Sequence, residues 1–95
     1  REPSASEVTR SDFTVKLRGF ADAEAIKVDT LRRRAEHVAT LAAYEDSEQR
    51  FYPHPEQLTG AELGAYLALR GGILFQRNDI AWCDEILARL SSEEH

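Results

Sequence analysis

Three histidines and one cysteine are the side chains in this sequence best suited to metal binding or nucleophilic catalysis. His37 follows Glu36 in a helical pattern, His54 lies between two prolines, and His95 is the final residue. None of them has a metal-ligand or triad partner at a recognisable spacing. Cys83 stands on an apolar helical face without a basic neighbour, so we expect it to pack rather than react. The sequence therefore predicts no metal site and no catalytic residue.

Phosphate binding and acid–base catalysis also lack a motif. Gly71-Gly72 lies inside an apolar helical pattern and is not followed by the Lys-Ser or Lys-Thr of a phosphate-binding loop. Acidic residues are abundant, but they are spread along positions that we expect to be exposed, and no pair is marked for proton transfer. We therefore expect a protein that is not an enzyme and that uses no cofactor and no small-molecule substrate.

Basic residues in the first third of the chain could contact nucleic acid. If residues 13–18 form a strand, its polar side chains share one outer face. A polar-faced strand followed by helices resembles the ribbon-helix-helix repressors, and this resemblance implies paired strands in the major groove of DNA. Against DNA affinity, residues 35–95 carry four Arg and eleven acids, a net charge of −7. The candidate nucleic-acid-binding residues are Thr14, Lys16, Arg18, Arg32, Arg33 and Arg34.

Apolar side chains near the start of the chain, and two aromatic residues in a later loop, indicate a protein partner. A strand at residues 13–18 needs a neighbour, because an unpaired edge leaves backbone donors and acceptors unsatisfied. That neighbour could be a second copy of the chain or a binding protein. The candidate partner-binding residues are Phe13, Val15, Leu17, Phe20, Phe51 and Tyr52.

These side chains need elements to position them, and the first element is a long amphipathic helix over about residues 22–44. The stretch contains no Gly and no Pro. Its small and aliphatic residues recur at steps of three and four, which predicts a single apolar seam along the helix. That seam consists of Val28, Leu31, Ala35, Val38 and Ala42.

The segment from residue 13 to residue 28 has two interpretations. Residues 13–18 alternate apolar and polar, which favours a strand, although Phe13, Leu17 and Phe20 also fit a helical i, i+4, i+7 stripe. Residues 25–28 could form the partner strand of a hairpin. In that case Asp29 or Thr30 would cap a shorter helix that begins at residue 31.

Two further helices are predicted at about residues 59–77 and 79–91. Thr59 and Glu62 match the capping box at the start of the first one. Asn78-Asp79 interrupts the apolar pattern and supplies a cap for the second one. The expected fold is therefore mainly α, a three-helix domain preceded by one short strand or hairpin near residues 13–18.

Length and composition agree with one small domain. The 95 residues are 42% apolar and 31% charged, and we expect a flexible tail at residues 1–11 and a single helical domain at residues 12–92. The single Cys and the lack of a long apolar run favour a cytoplasmic protein that does not contact a membrane. We expect a small acidic protein-binding module that acts as a regulator, inhibitor or assembly accessory, with self-association as a homodimer or a separate protein partner. The alternative is a dimeric DNA-binding repressor or antitoxin.

Overall fold

The computed structural model describes residues 13–19 and 22–93, so the predicted tail at residues 1–11 and the predicted contact residue Phe20 lie outside it. The described part is mainly helical, as expected from the sequence. It contains a short helix α1 (residues 13–19), two long helices α2 (Ala23–Phe51) and α3 (Gly60–Glu93), and one turn of 3₁₀ helix at Pro55–Gln57.

The predicted strand or hairpin near residues 13–18 is wrong, because these residues form helix α1 and no strand occurs among the described residues. The helical interpretation of the segment is correct for a physical reason. Phe13 is buried against the long helices, whereas a strand at this position would have had no second strand with which to pair. The proposed pairing strand at residues 25–28 is also wrong, since these residues lie in α2.

Helix α2 is longer than the predicted 22–44 and begins at a well-formed cap. The Asp22 carboxylate accepts hydrogen bonds from the backbone amides of Glu24 and Ala25 at 3.1 and 3.2 Å, which satisfies two of the free amides of the first turn. Asp22 is therefore the cap. The alternative, a shorter helix capped by Asp29 or Thr30, is wrong, because both residues lie inside α2. The helix continues to Phe51 because no residue unsuited to a helix occurs before Pro53.

The connection between the long helices is short. Pro55 begins the 3₁₀ turn, and the Leu58 amide donates to the Pro55 carbonyl at 3.2 Å. Gly60 then takes a positive φ of 60°, a conformation that glycine adopts without steric cost, and the chain turns into α3 within one residue of the predicted start.

The two predicted C-terminal helices are a single helix of 34 residues, so the predicted break at Asn78-Asp79 is wrong. Asp79 can cap a helix only if its side chain turns back to the backbone, and here it is 1% exposed and faces α2 instead. Tertiary contact has therefore overridden the local preference of these two residues for a helix end.

Helices α2 and α3 pack against each other as an antiparallel hairpin, with α1 lying against its open end. Gly72 of α3 permits a close approach, because a Cβ atom at this position would lie 3.0 Å from the Tyr44 ring of α2. The molecule measures 52 × 34 × 15 Å, so it is elongated and thin.

Candidate association surface

The apolar seam of α2 lies on the side of the helix that faces away from α3. Val28, Leu31 and Val38 are 58%, 49% and 42% exposed, and Ala35 and Ala42 are exposed as well. The face that packs on α3 is a different one. Its buried members are Ile26, Thr30 and Arg33.

The spacing of this seam is that of a coiled coil. Its five residues follow a strict 3, 4, 3, 4 pattern, in which Val28, Ala35 and Ala42 occupy a positions and Leu31 and Val38 occupy d positions. Such a row normally packs against another helix. Within the described residues, α3 packs on the opposite side of α2, so the seam is open to solvent.

Helix α3 also has apolar side chains on its outer side. Leu67, Leu74 and Phe75 are 56%, 54% and 41% exposed. Glycine and alanine lie between them, at Gly71 and Ala68, so this surface is less regular than the α2 seam. Both long helices therefore present apolar surface to solvent.

The interior of the hairpin is unusually polar. The His37 Nδ1 atom lies 2.6 Å from the Gln76 Oε1 atom, and the His37 Nε2 atom lies 3.5 Å from an Asp79 carboxylate oxygen. The Thr30 hydroxyl donates to the Ile26 carbonyl at 2.7 Å. The contacts of His37 with Gln76 and Asp79 join the two helices, so they favour one pairing of α2 with α3 over shifted ones. Across the described part of the chain, no group of His, Cys, Asp and Glu side chains could hold a metal ion.

The Cys83 thiol is enclosed in this interior and is 1% exposed. Burial raises the pKa of the thiol, an effect that the positive charge of Arg33 partly opposes. A protonated and inaccessible thiol is a poor nucleophile, which agrees with the packing role expected from the sequence.

Ion pairs join α2 to α3 along the hairpin. Arg34 donates to Asp84 at 2.6 Å, Arg77 to Glu45 at 2.9 Å, and Arg70 to Glu48 at 3.0 Å. The hydrogen bond and the charge of Asp84 raise the pKa of the Arg34 guanidinium above its ordinary value. Because these pairs are partly exposed, they align the helices more than they stabilise them.

The predicted partner-binding residues do not form one surface. Phe13 is buried, whereas Val15 is 67% exposed and Leu17 is half-buried. Phe51 is exposed at the far end of α2, and the Tyr52 ring packs on Tyr66 with a centroid distance of 5.5 Å.

The predicted nucleic-acid-binding residues lie on α1 and α2, and the strand face expected of three of them is a helix. Most of their basic groups are paired with acids or buried. Lys16 pairs with Asp29 at 3.3 Å, and Arg32 pairs with Glu36 at 3.0 Å. Arg33 is 5% exposed. In the same part of the molecule, Thr14 is half-buried, Arg18 is exposed, and Arg34 is bonded to Asp84 as described above.

Sequence reasoning missed the role of Arg33 and Trp82, which together hold Phe13. The Arg33 guanidinium lies over the Phe13 ring, 4.6 Å from its centroid, and the Trp82 ring meets Phe13 edge-on at 5.5 Å. Arg33 lies seven residues after Ile26, a spacing that returns to the same helix face, and this was the available signal that it points inward.

Comparison with known proteins gives two matches. A profile of the family described as "Virulence activator alpha C-term" matches residues 9–91. A Mycobacterium tuberculosis protein named "Probable transcriptional regulator" is 36% identical over 95 residues. That match includes 98% of this chain but 50% of the relative, so the chain spans half the length of the curated relative that it matches.

Proposed function

Because the chain belongs to the virulence activator alpha C-term family, we propose that it is the non-catalytic association module of a transcriptional regulator, and that it pairs with a second copy of itself through the α2 seam. The name of the M. tuberculosis relative supports the regulatory role. A dimeric regulator needs a part that joins its two copies, and a helical hairpin with an open coiled-coil seam fits that task.

The exposure of the seam is the observation that carries this proposal. Val28, Leu31 and Val38 each leave about half of the side chain in contact with water, and they do so in an unbroken row. Covering apolar surface is favourable by roughly 25 cal/mol per Å². The seam of a second copy can pack on this one, because a two-fold axis brings identical surfaces together.

The charges beside the seam favour an antiparallel pair. Lys27 and Arg34 occupy g positions, and Arg32 occupies an e position. A parallel pair sets Lys27 against Arg32 of the second copy, so like charges meet on both sides. In an antiparallel pair, Ala35 can lie opposite Val38 of the second copy. Arg34 then faces Leu41 of the second copy, and Arg32 faces its Ala39. The antiparallel arrangement avoids the repulsion.

Two matched charge substitutions test the proposal. Leu31→Glu and Leu74→Glu replace leucines that are 49% and 54% exposed, the first on the α2 seam and the second on the outer side of α3. Light scattering after size-exclusion chromatography gives the mass of each variant. We expect Leu31→Glu to be monomeric and Leu74→Glu to keep the dimer, because only the first puts a carboxylate into the interface.

Helix content, measured by circular dichroism, should stay at the wild-type level in both variants, since both leucines point away from the α2–α3 contact. The opposite pattern, with Leu74→Glu monomeric and Leu31→Glu dimeric, would move the interface to α3. A dimer that survives both substitutions would contradict the role of the α2 seam.

A further inference from the structure

Among the described residues of helix α1, Phe13 is the most deeply buried. Phe13 is 4% exposed, but Val15, two residues later, is 67% exposed and Leu17 is only half-buried. A helix of seven residues is not stable alone in water, because the free-energy cost of nucleation exceeds the stabilisation from its few hydrogen bonds. The docked state of α1 therefore depends on the seat that receives Phe13.

In that seat, one residue from each long helix contacts the Phe13 ring. Arg33 of α2 places its guanidinium over the face of the Phe13 ring, and Trp82 of α3 meets the ring at an interplanar angle of 76°. Both contacts have the geometry that aromatic rings favour with cations and with one another. The Phe13 ring thus bridges α2 and α3.

The other end of α1 is held more loosely. Lys16 pairs with Asp29 at 3.3 Å, but the Lys16 side chain is 58% exposed, and such a pair contributes little in water. A cleft of about 250 Å³ lies between α1 and the start of α2, with Gly19, Ala25 and Ile26 in its lining. Among the described residues, this end of α1 is therefore less closely packed than the end that carries Phe13.

We propose that α1 is a detachable strap, latched by Phe13 in the seat of Arg33 and Trp82, and that its release uncovers this seat and Ile26 without opening the α2–α3 hairpin. The seat is separate from the α2 seam. The strap gives the chain two states that differ at one end of the hairpin. This conformational device goes beyond the proposed pairing and does not depend on it.

The chain contains a single tryptophan, so fluorescence reports directly on the seat. Phe13→Ala is compared with Val15→Ala, which shortens an exposed side chain of the same helix. Two measurements are made on each full-length variant: acrylamide quenching of Trp82, and hydrogen–deuterium exchange of residues 13–19 and of residues 30–44.

We expect Phe13→Ala to increase quenching of Trp82 about twofold and exchange of residues 13–19 about tenfold, while residues 30–44 keep their wild-type protection, as in local opening. Val15→Ala should match the wild type, and Phe13→Leu should fall between the wild type and Phe13→Ala. Loss of protection at residues 30–44 in Phe13→Ala would overturn the proposal, because Phe13 would then belong to the hairpin core. Unchanged quenching and exchange in Phe13→Ala would overturn it as well.

Discussion

At the scale of single residues, Gly72 shows how one missing side chain allows two helices to approach. A Cβ atom at this position would lie 3.0 Å from Tyr44 Cε2, whereas at Gly71 it would meet no atom within 4 Å. Two adjacent glycines in a helix are compatible with either a kink or a close approach of another element. Only the structure distinguishes them, and it assigns the close approach to Gly72.

This difference predicts opposite effects of two neighbouring substitutions. Gly71→Ala should stabilise the protein by about 0.5–1 kcal/mol, because alanine loses less backbone entropy in a helix. Gly72→Ala reduces the entropy of the unfolded backbone by the same amount but forces the Tyr44 ring to shift. We therefore expect this variant to be less stable than Gly71→Ala by about 1 kcal/mol. Urea unfolding at equal protein concentration measures both. Equal stabilisation by the two variants would show that the Tyr44 ring yields without cost.

The buried thiol of Cys83 reports on the separation of the two long helices. Because burial raises the pKa of its thiol, the group should react with a disulfide reagent at pH 8 at least roughly 100-fold more slowly than a free cysteine. Reaction then requires α2 and α3 to separate. The rate should rise with urea in parallel with unfolding, and a fast reaction in water would contradict the closed interior.

At the scale of elements, the sequence predicts the helices well and their ends poorly. The start of α3 is correct to one residue, because the residue types that mark a helix start lie within a few positions of it. The break at Asn78-Asp79 and the strand near residues 13–18 are wrong, because the burial of Asp79 and Phe13 depends on helices that are distant in sequence. Helix α2 ends at Phe51 rather than near residue 44, because the acidic stretch that follows residue 44 continues the helix.

The candidate surface could be predicted only in part, for the same reason. The 3, 4, 3, 4 row on α2 is visible in the sequence, but whether it faces α3 or solvent is not. A helix with a second inward face made of Thr30, Arg33 and His37 gives no apolar signal for that face. The polar interior therefore concealed which side of α2 remains open.

At the scale of the whole molecule, the hairpin exposes more large apolar side chains than it buries. Five apolar residues form the core of the described part, and eight large apolar residues are exposed there. Stable domains are built from at least two packed layers, so this exposed surface favours the proposed pairing, in which a second hairpin would cover it. Among the described residues, no helix is long and apolar enough to span a membrane.

The most direct test of this account is sedimentation equilibrium of the wild-type chain over a wide range of concentration. We predict a mass twice the 10.7 kDa of a single chain, which falls toward one chain on dilution, because the seam is covered only in the pair. A mass of one chain at every concentration, with the helices intact, would contradict the central claim that the α2 seam joins two copies.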